Sequence, residues 1–211
     1  MTTSWVAIVS PPRLRVIQVP GASEAELRLR NWVFDKALSG DIIVDQDIHP
    51  LDMINWYLDG HPTQAFGTGG RKARVDIGDC WDHFLVQFWY PNGVKVDFSG
   101  AQFIKGTYYI CARLYGTLGT LDTYYRGSVR IEGDNPWHGA DADPTFDQGA
   151  ITNVKEFIAA IREGRLLNNV EPSVESTLTC ILGRTAAYRQ RIVAWDEMLR
   201  ETKKLEANLK L

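Results

Sequence analysis

The chain has 211 residues, of which 45% are hydrophobic and 23% charged, enough to bury a core of one ordinary domain. Its 23 basic and 26 acidic residues give a formal net charge of -3, leaving no surplus of cations to neutralise a row of phosphates, so nucleic acid is not an expected partner. No apolar run is long enough to cross a bilayer, and MTTSWVAIVSPPRLR has no basic region ahead of its apolar stretch, so the expectation is a single domain over residues 1–211, cytoplasmic and without a membrane partner.

Val6 to Val19 reads as an opening strand, with Pro11 and Pro12 suiting an edge or a bend because proline donates nothing to a ladder. From Ser23 the pattern turns helical. SEAE is a capping-box arrangement in which Ser23 caps and Glu26 reaches back, and Gly40 ends the segment. Asp41 is then a candidate N-cap for a helix running to Gly60, with Ile42, Ile43, His49, Met53, Ile54 and Trp56 near helical spacing. On one such helix Asp45 and His49 lie one above the other. Pro50, which cannot donate to the carbonyl of Gln46, predicts a kink or a free carbonyl beside them. The pair reads either as the polar face of a helix or as an acid/base pair at a substrate.

Beyond residue 60 the chain is mostly β. HFLVQFWYPNGVKVDFSG alternates on both sides of Pro91-Asn92-Gly93 and predicts a hairpin. Further strands are expected over Thr107–Ile110, around Leu114 and over Tyr124–Ile131, and their short connections favour antiparallel pairing. EGDNPWHGADADPTFDQG reads as a long surface loop. In it Trp137 and His138 offer an aromatic face beside polar donors, suiting either a sugar or a mere cover for the sheet. NVKEFIAAIREG places Val154, Phe157, Ile158 and Ile161 on one helical stripe ending at Gly164. Pro172 opens a longer helix through Tyr188, and a charged helix is expected from about Trp195. The fold class is therefore α+β.

Cys80, Cys111 and Cys180 are scattered, without paired metal spacing, which suits reduced structural thiols, and no metal site is expected. A cysteine nucleophile partnered by His83 stays open beside that reading. No G-x-G-x-x-G opens a helix after a strand, and no G-x-x-x-x-G-K-[ST] or G-x-S-x-G is present; FGTGGRKAR fits a strand or turn needing small residues.

Three blocks, NWVFDKALSGDIIVDQDIHPLDMINWYLDGHP, DHFLVQFWYPNGVKVDF and PSVESTLTCILGRTAAYRQRIVAWDEML, together resemble, in that order, the C-terminal domain of the glucose-fructose oxidoreductase/inositol dehydrogenase (Gfo/Idh/MocA) family. The resemblance spans about Asn31 to Leu199. It implies an open, mainly antiparallel sheet with helices packed on one face and the other face against a second subunit. It also implies that Asp45 and His49 occupy the family's Asp-x-x-x-His positions, which complete a site oxidising a hydroxyl of a small sugar or polyol. A neutral histidine would take the hydroxyl proton and the carboxylate would orient it or the substrate.

In full-length members of that family an N-terminal Rossmann domain binds NAD or NADP and supplies a lysine from Glu-Lys-Pro; neither is in this sequence. The expectation is a substrate-binding and oligomerisation domain that binds no cofactor alone and is inactive in hydride transfer without a separate Rossmann-domain subunit. It would form a homo-oligomer through the sheet, where Phe84, Phe88, Tyr90 and Phe98 are expected to supply exposed apolar surface. The alternatives are a non-enzymatic carbohydrate-binding or scaffold protein and a cofactor-independent lyase or isomerase using His49.

Overall fold

A computed structural model of the chain describes residues 3–9, 15–102, 110–124, 127–139, 147–201 and 204–210. Strand β1 (Thr3–Val9) comes first, followed by α1 (Glu24–Arg30), a 3-10 turn at Trp32–Phe34, α2 (Lys36–Ser39), α3 (Ile42–Asp45) and α4 (Ile48–Leu58). Strands β2 (Gln64–Gly70), β3 (His83–Trp89), β4 (Lys95–Ala101), β5 (Ile110–Tyr115), β6 (Gly119–Tyr124), β7 (Val129–Gly133) and β8 (Trp137–His138) make up the middle. The chain closes with α5 (Asp147–Glu163), α6 (Val170–Arg189), β9 (Val193–Ala194) and α7 (Trp195–Leu199).

The strands form one nine-stranded open sheet in the order β8-β7-β6-β5-β1-β4-β3-β2-β9. Neighbours are antiparallel except β1 and β4, which run parallel. This is the open, mainly antiparallel α+β sheet expected from the sequence. The tight turn at Pro91–Gly93, with Gly93 at φ +78°, joins β3 to β4 as the hairpin pattern predicts.

Period-two alternation decides what the sheet buries. Phe84, Val86 and Phe88 of β3 and Val96 and Phe98 of β4 face α3, α4 and α6, where Ile42, Ile43, Leu51, Ile54 and Leu182 complete the core. The expectation that Phe84, Phe88, Tyr90 and Phe98 cover the open face is thus corrected: all four are buried. The open face instead carries a polar row in register, Gln87 and Asp97, then Arg113, Asp122 and Arg130. Gln87 donates to Asp97 at 2.9 Å, Arg113 grips Asp122 through two nitrogens at 3.1 and 3.0 Å, and Arg130 adds a third contact at 3.4 Å. Among the described residues Phe66, Leu85 and Tyr115 stand exposed beside that row.

Local signals fare unevenly. Ser23 caps α1 by accepting from the Glu26 amide at 3.1 Å, but the Glu26 carboxylate pairs with Arg30 instead of reaching back. The strand read over Tyr124–Ile131 is two strands, β6 and β7, paired antiparallel. The expected charged terminal helix lasts only Trp195–Leu199, held by buried Trp195 and Met198. Pro11, Pro12 and Thr107 to Tyr109 lie outside the described residues.

Candidate functional site

The segment carrying Asp45 and His49 begins at a backbone anomaly. Gly40 ends α2 in the left-handed region at φ +81°, and Asp41 follows at φ 80°, ψ 162°, a region otherwise nearly confined to glycine. Side-chain bonds compensate. The buried Asp41 carboxylate accepts from the Ile42 amide (2.8 Å), the Trp81 amide (3.1 Å) and the Tyr188 hydroxyl (2.7 Å), while Arg184 donates to the Gly40 carbonyl at 2.6 Å. Tyr188 stacks on Trp81 with centroids 3.9 Å apart, and Lys36 lies over the Tyr188 ring. Burial pushes the Asp41 carboxyl above its ordinary range, opposed by the Tyr188 and Ile42 hydrogen bonds and the charges of Arg184 and Lys36. This clamp sets where α3 starts.

Helix α3 is a single turn that ends at Asp45. The chain then breaks at Gln46 and Asp47, whose amides both donate to the Ile42 carbonyl, and α4 starts afresh at Ile48. Asp45 and His49 are therefore not on one helix; they lie on either side of the break between two. Pro50 does not kink anything. It falls in the first turn of α4, where its missing N–H would have had no intrahelical partner.

His49 is exposed and Asp45 half-buried. Burial raises the Asp45 carboxyl, while a hydrogen bond from Gln46 and the nearby His49 ring pull it back. Asp47, between them, is fully buried, and its Oδ2 has no hydrogen-bond partner among the described residues. It lies over β4 at Gly100, where a methyl group would overlap that oxygen. Burial, then the charges of Asp41 and Asp45, hold the Asp47 carboxyl well above its ordinary range.

The other expected site residues lie elsewhere. Trp137 and His138 form β8, the edge strand paired with β7, and Trp137 is 54% exposed. Strands β7, β6, β5 and β1 separate them from β4 beneath Asp47, so the structure does not bring them to Asp45 and His49. His83 bonds through Nδ1 to Asp82 at 2.7 Å, and Asp82 also accepts from the amides of Lys72, Ala73 and Arg74. Burial would push Asp82 up, but those donors outweigh it and hold the carboxylate below its ordinary range. That is a clip on the loop ahead of β3. Cys80, the thiol nearest in sequence to His83, is buried and pushed up to about 12 by burial and by Asp41, which keeps it protonated. Among the described residues all three cysteines are buried and none is in a disulfide.

Sequence reasoning missed Asp41 and Asp47 as members of this centre, although both stand in GDIIVDQD. Their burial comes from α6 and β4, far away in sequence.

Residues 13–122 match the family model of the GFO/IDH/MocA C-terminal domain, and the chain belongs to that family. Solved structures share the fold. An oxidoreductase from Agrobacterium radiobacter, in complex with NAD+, L-tartaric acid and magnesium, superposes with a TM-score of 0.67 at 14% identity over 93% of this chain and 57% of its own. Levoglucosan dehydrogenase, in complex with NADH and levoglucosan, gives 0.66 at 15% identity over 92% and 57%. The myo-inositol 2-dehydrogenase from Lactobacillus plantarum gives 0.65 at 16% identity over 91% and 56%. The chain thus spans little more than half the length of these structures. No curated protein matches it. Among the described residues no helix is long and apolar enough to cross a membrane.

Proposed function

We propose that this chain is the substrate-holding and subunit-contacting half of an NAD(P)-dependent sugar or polyol dehydrogenase. The observation that supports this reading is the pairing of an exposed imidazole, His49, with a half-buried, upward-shifted carboxyl, Asp45, across the α3–α4 break in the segment matched by the family model. His49 accepts the proton of the substrate hydroxyl, and Asp45 orients the ring or a neighbouring hydroxyl. The clamp on Asp41 and the buried Asp47 set the angle between the two short helices that present the pair.

Among the described residues the glycine cluster of β2 does not offer a dinucleotide cradle. Gly67 and Gly69, two of the three glycines of FGTGG inside β2, serve close packing: a Cβ on Gly67 would come within 3.1 Å of Ala187 and Val86, and one on Gly69 would overlap the His83 carbonyl. On this reading the oxidant comes from a nucleotide-binding body outside the described residues, on the same polypeptide or on a separate subunit. A bare apolar stripe on α5 suits that body. Val154, Phe157 and Ile161 are 58%, 59% and 64% exposed, more than a finished surface leaves on one helix face. This chain covers 57% of the length of these solved neighbours, so each carries a further part that this chain does not match and that is available to cover such a stripe. The open sheet face, with its Arg113–Asp122–Arg130 row beside Phe66 and Leu85, is the surface for a second copy, and sedimentation at micromolar concentration should show a dimer or larger.

The test is reconstitution with a nucleotide-binding partner and assay of NAD and NADP reduction over a panel of polyols. His49→Ala and Asp45→Asn should each lower kcat/KM by about 100-fold or more, with unfolding midpoints near that of the parent. Retained activity in both variants would sink the assignment. Loss of stability without loss of activity would leave the pair a structural lock in a scaffold.

A further inference from the structure

His49, Asp52 and Trp56 recur on one exposed stripe of α4. Toward its C-terminal end the stripe enters a cavity of about 440 Å³, walled by Asp52, Asn55, Trp56 and Asp59 on one side and by Asn169, Ser173, Glu175 and Ser176 at the start of α6 on the other. Its floor is a buried polar chain. The Tyr90 hydroxyl donates to Asn55 Oδ1 at 2.6 Å, the Asn55 amide donates to Thr179 at 3.0 Å and to Ser176 at 3.4 Å, and the Ser176 hydroxyl donates to Asp52 Oδ1 at 2.6 Å. From Asn55 the chain of donors branches to Thr179 and to Ser176, and the Ser176 branch ends on Asp52. The Thr179 hydroxyl donates to the Glu175 carbonyl, and the bond from the buried Ser176 orients the Asp52 carboxylate at the cavity wall. The partner of Asp52, Ser176, is 124 residues away in the chain.

The rim points to the class of ligand. Trp56 is 78% exposed, the largest aromatic surface that the described chain leaves in water. Around it Asp59, Asn169, Ser173 and Glu175 make no side-chain hydrogen bond or ion pair among the described residues. Together with Asp52 they offer carboxylate acceptors, an amide and a hydroxyl, and no basic side chain lines the cavity. Phosphates and carboxylic acids are repelled by such a wall. A neutral ring with an apolar C–H face and equatorial hydroxyls matches it: the C–H face covers the indole and the hydroxyls donate charge-assisted bonds to the carboxylates.

We propose that the cavity between α4 and α6 is a second sugar subsite, holding a neutral pyranose ring over Trp56. Trp56 is seven residues beyond His49, about 10 Å along the helix at ~1.5 Å per residue, so one oligosaccharide can place its reacting ring at His49 and its next ring in the cavity. That last step rests on the dehydrogenase reading of Asp45 and His49; occupancy of the cavity does not.

The experiment is an NMR titration of the chain with maltose, cellobiose and other neutral disaccharides, following the Trp56 indole N–H, assigned by its loss in Trp56→Phe, with calorimetry in parallel. A saturable shift of that resonance is expected. Trp56→Ala should weaken binding at least tenfold, Ser173→Ala should weaken it less, and both should melt near the parent because the two side chains sit at the rim. His49→Ala should keep the shift. If it does while the reconstituted enzyme shows no polyol oxidation, the cavity assignment stands and the dehydrogenase reading falls. No shift with any neutral disaccharide, or a shift produced by a protonated amine such as spermidine but not by sugars, overturns the subsite.

Discussion

Helices α4 and α5 both read as amphipathic in the sequence, yet they end in opposite conditions. Leu51 and Ile54 of α4 are 0% exposed, packed between the sheet and α6, whereas Val154, Phe157 and Ile161 of α5 stand more than half in water. The comparison teaches that an apolar stripe states a need for cover without saying what supplies it. On α4 the cover is intramolecular. On α5 it is assigned above to the nucleotide-binding body.

The largest effect that sharpens this contrast comes from truncating one stripe and then the other. Leu51→Ala should cost about 2–5 kcal/mol, whereas Phe157→Ala should stay within about 0.5 kcal/mol in the isolated chain, as read from urea unfolding. Similar losses would show that α5 is packed in solution and remove the bare stripe.

Two glycines give the next test. A methyl group at Gly183 of α6 would come within 2.7 Å of the Phe88 ring, while one at Gly149 of α5 would meet nothing within 4 Å. Gly183→Ala should destabilise by about 1–3 kcal/mol despite the better helix propensity of alanine, and Gly149→Ala should stabilise by about 0.5–1 kcal/mol. Opposite signs in thermal melts are the expected outcome; a stabilised Gly183→Ala would mean that α6 does not approach β3 this closely.

The smallest effect is pH-dependent and sits at the start of α4. Because the folded Asp47 carboxyl is held above its unfolded value of 3.8, its contribution to stability is whole below that value and is lost as pH rises through the folded one. Asp41 and Asp45 shift in the same direction, so stability should decline from mildly acid toward neutral pH. Asp47→Asn should flatten that decline, narrowing the difference between the melting temperatures at pH 4 and pH 7. An unchanged slope would place the dependence on the other two aspartates.

The sequence by itself determined what short-range physics controls. Alternation on both sides of Pro91-Asn92-Gly93 specified the hairpin, Ser23 the start of α1, and Gly164 and Pro172 the neighbouring limits of α5 and α6, because turn dihedrals, capping bonds and side-chain period are settled within a few residues. Asp45 and His49 were legible as a pair for the same reason. Tertiary structure decided the rest. Nothing local could show that Asp41 and Asp47 are buried, that the helix breaks between Asp45 and His49, that Phe84, Phe88 and Phe98 turn inward, or that Asp52 is bound by Ser176. Each of these depends on α6 and the sheet arriving from distant parts of the chain, and burial, unlike a turn, is a property of everything that packs around a residue.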